Sequence, residues 1–171
     1  MTDRQRERAR ERFGGRCAYC GVHEEAAGAT LTVDHHQSRS RGGSDDEDNL
    51  VYACPRCNEH KGAYWHIEDL PHVRLLHPGR DDLAFHLREE PSGRLIGLTP
   101  EGRFFIERLR LNRAPLVSHR LRLRAGAARE AELVSARQRV AELEHHIADL
   151  RAAVESTADE IHRLSTPKRK E

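Results

Sequence analysis

The apolar positions of this 171-residue chain fall into distinct patterns, and each predicts a different element. Residues 2–13, "TDRQRERARERF", are charged on all sides and predict an exposed N-terminal helix stopped at Gly14-Gly15. "ATLTVDHH" places apolar Leu31 and Val33 at period two, the spacing of a strand. "LVYACPRCNEHKGAYW" reads as a short apolar run, a turn at Cys54-Pro55 and a helix from about residue 56, and the polar turn formers of "QSRSRGGSDDEDN" form a loop before it. Residues 66–82 are irregular and rich in histidine, and "LAFHLREEPSGRLIGL" alternates like a hairpin around "EEPSG". Thr99-Pro100 starts a helix, with Thr as cap and Pro at the first helical position. After a break near Asn112 to Pro115 the rest is helical and ends in a frayed "STPKRKE".

That last helix has its own period. Val140, Ile147, Val154 and Ile161 form one seam position and Leu143, Leu150, Thr157 and Leu164 the other, with Leu133 and Ala136 continuing the pattern backwards. β-Branched residues at one position and leucine at the other favour a parallel two-stranded coiled coil, so the helix is expected to pair with a second copy. The competing reading is a helix packed on its own domain. Three segments are therefore expected: a core at 1–65, a hairpin and basic helical extension at 66–125, and a heptad helix at 126–171.

Composition adds limits. With 37% hydrophobic, 33% charged and 5% aromatic residues the chain is lean in core-forming side chains, so its compact part is expected to need help such as a metal. It has no apolar run long enough to span a membrane and is charged from its third residue, which predicts a cytoplasmic location. In a reducing compartment four cysteines suit a metal better than disulfides. The net charge of +1 hides an uneven distribution: from Gly102 to Arg129 there are eight arginines against one acid, Glu107. A polyanion could dock there through Arg113, Arg120, Arg122 and Arg124, although arginines interleaved with leucine also lie over apolar neighbours.

The strongest chemical signal is Cys17, Cys20, Cys54 and Cys57. Two C-x-x-C pairs in turn contexts supply four thiolates at zinc-knuckle spacing, and a closed four-sulfur zinc site is structural. Between and after the two pairs stand Asp34, His35, Asn49, Asn58, His60 and Lys61. Taken in order, "CAYCG", "LTVDHHQSRSRGGSDDEDNL" and "ACPRCNEHKG" resemble the HNH nuclease family over roughly residues 12–64. The resemblance implies an α+β fold: a ββα-metal HNH core with structural zinc, followed here by the hairpin-plus-helix extension and the long C-terminal helix. It also implies a metal-dependent endonuclease that hydrolyses DNA phosphodiester bonds. Asp34 and Asn58 would hold a catalytic Mg2+ or Mn2+, with His60 a further candidate ligand; His35 would be the general base and Asn49 would pin the loop that orients it. Arg39, Arg41 and Lys61 are candidate phosphate contacts. His36 departs from the family pattern, which has an apolar residue there, and alternation points it to packing or solvent. His66, His72, His77 and His86 with Asp81-Asp82 are too irregularly spaced to favour a second metal. The alternative function is a catalytically silent zinc-containing nucleic-acid-binding module or a coiled-coil interaction protein.

Overall fold

A computed structural model of the chain describes residues 2–66 and 73–165; His72 and the tail 166–171 lie outside them, as does the side chain of Leu164. Helix α1 (Asp3–Arg12) buries only Ala9 and starts in a reciprocal cap, in which Gln5 N donates to the Thr2 hydroxyl and Thr2 N donates to Gln5 Oε1. A helix without an apolar stripe must be tied down by polar contacts. Here Arg10 pairs with Glu24, and Arg12 donates to the carbonyls of Glu47 and Leu50. The short helix α2 (Glu24–Ala27), unexpected from the sequence, is capped by His23.

Strand β1 (Thr32–His35) pairs antiparallel with β2 (Leu50–Ala53), with Val33 opposite Tyr52 and Asp34 opposite Val51. Every residue of β2 is buried, so both faces of this two-stranded sheet are covered. The chain then turns at Cys54 into α3 (Pro55–Lys61), where the Cys54 sulfur accepts from Cys57 N (3.4 Å) and Pro55 takes the position needing no donor. One C-x-x-C is thus also a helix start.

Further on, the expected hairpin is only partly a hairpin. Residues Leu83–His86 form a helical turn, α4, because the Asp82 carboxylate accepts from Ala84 N (3.0 Å); the strands are β3 (Leu87–Glu89) and β4 (Leu95–Gly97). Helix α5 (Pro100–Arg108) starts as expected, with the Thr99 hydroxyl accepting from Gly102 N (3.1 Å). The expected break falls where Arg110 takes a left-handed φ of 48°, and α6 (Ala114–Ser165) follows.

Tyr52, Leu31, Leu76, Phe105, Leu109 and Leu111 are fully buried in one core that joins the N-terminal strands to α5. Met1–Arg122 accordingly forms one compact unit and Leu123–Glu171 a second, so the expected segments 1–65 and 66–125 share a core. The second unit is helical among its described residues, and its seam residues from Val140 to Ile161 are exposed, Leu143 at 61% and Val154 at 68%. Among the described residues no helix is long and apolar enough to cross a membrane. The mixed α+β class, with small antiparallel hairpins and a long C-terminal helix, is as the sequence implied.

Candidate active site and metal centre

The four cysteine sulfurs lie within 4.8 Å of one another, and Cys20 and Cys54 are 3.8 Å apart. The edge of a sulfur tetrahedron around zinc, with bonds of ~2.3 Å, is about 3.8 Å, so the donor set fits a structural zinc. Local backbone bonds present the first pair: Gly21 N donates to the Cys17 carbonyl, Cys17 N to the Val22 carbonyl, and Ala18 N to Tyr52 of β2. Arg113 Nη2 lies 3.5 Å from Cys57 Sγ, a cation placed against the thiolates. Among the described residues this is the only cluster of three or more His, Cys, Asp or Glu side chains able to hold an ion.

Asp34 sits on the inner face of β1, 7% exposed. The Tyr19 hydroxyl donates to its Oδ2 (2.7 Å) and Lys61 Nζ to its Oδ1 (3.0 Å). Burial raises the Asp34 carboxyl above its ordinary range, opposed by the Lys61 ammonium and the Tyr19 phenol. Burial, then the facing carboxylate, pushes Tyr19 up, so it remains a protonated donor. Lys61 also donates to the carbonyls of His35 (2.7 Å) and Gly62 (3.3 Å) and is 0% exposed. The expectation that Lys61 meets nucleic-acid phosphates is therefore corrected: four residues after Cys57, it falls on the inward face of α3, where its charge is spent on Asp34.

His35 points the other way, towards the loop. Its Nε2 lies 2.7 Å from Asp45 Oδ1, and Asp45 is also ion-paired with Arg39. The Arg39 guanidinium, and then His35, hold the Asp45 carboxyl down at about 2. An ionised carboxylate only accepts, so Nε2 is the nitrogen that carries a hydrogen towards Asp45, and Nδ1 is the nitrogen turned away from this contact. Asn49 closes this loop: its Oδ1 accepts from Gln37 N (2.8 Å), and its Nδ2 donates to the carbonyls of Gln37 (3.0 Å) and Ser44 (2.7 Å). Gly43 is required by the same closure, since a Cβ there would stand 1.8 Å from the Gln37 carbonyl oxygen. Asp45, Tyr19 and Gly43 were not singled out from the sequence.

Asn58 is half-buried on α3, one residue after Cys57 and three before Lys61. Asp34 and Asn58 offer hard oxygen donors, a carboxylate and a carboxamide, whose chemistry suits Mg2+ or Mn2+; such an ion would share Asp34 with the Lys61 ammonium. His60 is half-buried, held below its usual range by burial and then by Arg113 and Arg110. His36 packs as expected, its ring edge-on to Trp65 and 4.5 Å from His77. The described histidines form no second cluster: His77 bonds the Asp48 carbonyl and Gly79 N, and His86 bonds Thr99. Among the arginines expected to meet a polyanion, Arg120 is 8% exposed and spent on the carbonyls of Gly93 and Leu111, which corrects its assignment. Arg113 is half-buried against Cys57, whereas Arg39, Arg41, Arg122 and Arg124 are on the surface.

No curated protein and no solved structure matches the chain. Residues 17–63 match the family model for HNH endonuclease, a span that begins at the first cysteine and ends just past α3. The chain thus carries, over residues 17–63, a domain of the HNH endonuclease family, for which nuclease-type activity on nucleic acid is the general expectation.

Proposed function

We propose that the protein is a metal-dependent endonuclease that hydrolyses DNA phosphodiester bonds, with His35 as general base. The observation that carries this reading is the fixed ring of His35, bonded through Nε2 to Asp45 on a loop that Asn49 closes. A neutral imidazole held by one nitrogen keeps the other free to take a proton from an attacking water near pH 7. Lys61 ties the His35 carbonyl to Asp34, so the strand end that presents the base is fixed from behind. A magnesium or manganese ion held by Asp34 and Asn58 would supply charge neutralisation at the phosphate and the leaving oxygen. Zinc held by Cys17, Cys20, Cys54 and Cys57 would be structural, clamping the loop that bears Ala18 and Tyr19 to α3.

The test is supercoiled plasmid incubated with the protein, with and without added Mg2+ or Mn2+. Nicking that needs the added ion is expected; binding of plasmid without any ion-dependent cleavage would return the chain to the silent binding module.

The exposed seam of α6 supports a parallel dimer as the assembled form. Val140, Leu143, Ile147 and Leu150 are each 48–61% exposed, and in a parallel pair Arg139 of one chain faces Glu144 of the other, and Glu132 faces Arg137. Light scattering should give a dimer for the full chain and a monomer for a chain ending at Gly126; two monomers would remove the dimer and leave the nuclease reading intact.

A further inference from the structure

Within the first unit, α2, α3 and the first three turns of α6 border an open cleft of about 670 Å3 that holds none of the residues to which hydrolysis is assigned above. Its apolar lining includes Val22, Ala26, Pro55 and Leu116, contributed by all three helices and the loop before α2. The charged and imidazole groups are Arg56, His60, Arg113, His119 and Arg122, and among the described residues no carboxylate lines it. Arg56 bonds Glu59 at the exposed edge (3.1 Å), and Arg113 is turned partly to Cys57. A zinc tetrathiolate would set a net charge of roughly −2 at Cys54 and Cys57, beside Arg113, while Arg122 stands on α6. There, His119 Nε2 is buried and has no hydrogen-bond partner. Burial, and then the guanidinium groups of Arg122 and Arg120, hold His119 below its ordinary range, so its ring is neutral and the potential around it is positive.

We propose that this cleft binds a single-stranded segment of nucleic acid, with backbone phosphate on Arg122 and Arg56 and an unstacked base against its apolar residues and the imidazoles of His60 and His119. A positively charged groove combined with flat rings and apolar surface is the physical pattern of single-strand binding, because every base has a face to stack and every nucleotide carries a phosphate. The size agrees, since sites of about 300–1,000 Å3 enclose one ligand of nucleotide dimensions. A duplex, with its bases stacked inward, cannot place a base in a concave pocket. Helix α3 carries Arg56 and His60 on one face and Asn58 and Lys61 on another, so a strand end held in the cleft lies one helix away from His35. The inference shares the substrate class of the proposed nuclease but not its active-site residues.

The experiment is fluorescence anisotropy of a labelled oligothymidylate, and of a labelled duplex of the same length, with the full chain at low salt and no added divalent cation. The single strand should bind at least about tenfold tighter than the duplex. Arg122→Glu and His119→Ala should each weaken the single strand by about tenfold or more, whereas Arg88→Glu, an equal charge change on the exposed β3, should weaken it less than about threefold. Arg122→Ala, which removes one phosphate contact without reversing charge, should lower the dependence of log Kd on log salt by about one. Equal weakening by the Arg122 and Arg88 variants, or no preference for the single strand, would overturn the proposal. Plasmid nicking separates the two readings. A chain that nicks plasmid but does not bind oligothymidylate in the cleft leaves the nuclease standing without this site. A chain that binds in an Arg122- and His119-dependent way but never nicks leaves the site standing without the nuclease.

Discussion

The carboxylate of Asp34 is enclosed on the inner face of β1, with a phenol on one oxygen and a buried ammonium on the other, whereas the ring of His35, the next residue, meets an exposed loop through Asp45 and Arg39. A strand turns successive side chains to opposite faces, so one dipeptide serves two environments. On the inner side the polar groups are desolvated, and each partner is indispensable because a lone buried charge is costly. On the loop side the ion pairs are exposed and contribute little to stability; their effect is to hold an imidazole in one orientation. The difference predicts that losing the buried partner of Asp34 reads out as folding and that losing the loop partner of His35 reads out as activity.

The largest effect tests the clamp beneath both sides. Cys17→Ser, or removal of the metal by chelation, should unfold the first unit, because structural zinc binding is coupled to folding; a cooperative far-UV melt that persists without metal would break this part of the comparison. Next is Lys61→Met, which leaves the Asp34 carboxylate buried without its cation. At neutral pH it should cost about 3–5 kcal/mol in urea unfolding. The sign with pH follows from burial, which already raises the Asp34 carboxyl in the folded state. A raised carboxyl favours the folded state when protonated, so the penalty is full above the folded-state pKa and shrinks as pH falls through it. A Lys61→Met protein as stable as the parent at pH 7 would show that the inner side is not a coupled pair. The smallest effect on stability lies outside. Asp45→Asn should leave the melt nearly unchanged and lower cleavage by about tenfold, by freeing the His35 ring without removing it; a stability loss as large as that of Lys61→Met would erase the distinction between the two faces.

Much of this arrangement was legible in the sequence. The spacing of the cysteines announced the metal centre, "VDHH" after an apolar run announced a strand end, and Thr99-Pro100 announced α5. Lys61 was misread because a lysine near a nuclease motif suggests a phosphate contact; its spacing of four from Cys57 already put it on the inward face of α3. Arg120 was misread for a related reason: charge tallied along the chain says nothing about direction, and this guanidinium caps carbonyls inside. Asp45 was hidden among the four acids of "DDED", where one carboxylate is distinguished from its neighbours only by the path of the loop. The helical turn α4 was decided by the Asp82 cap against an alternating pattern that suggested strand. The seam of α6 was legible as a period, and its described residues from Val140 to Ile161 are exposed.

The proposed hydrolysis depends first on His35. Cleavage of supercoiled plasmid by His35→Ala should be measured beside the parent, in saturating Mg2+ or Mn2+ and at matched DNA binding. Loss of about 100-fold or more in rate, with folding and binding intact, is what a general base requires; a variant that cuts at the parental rate would contradict the assignment.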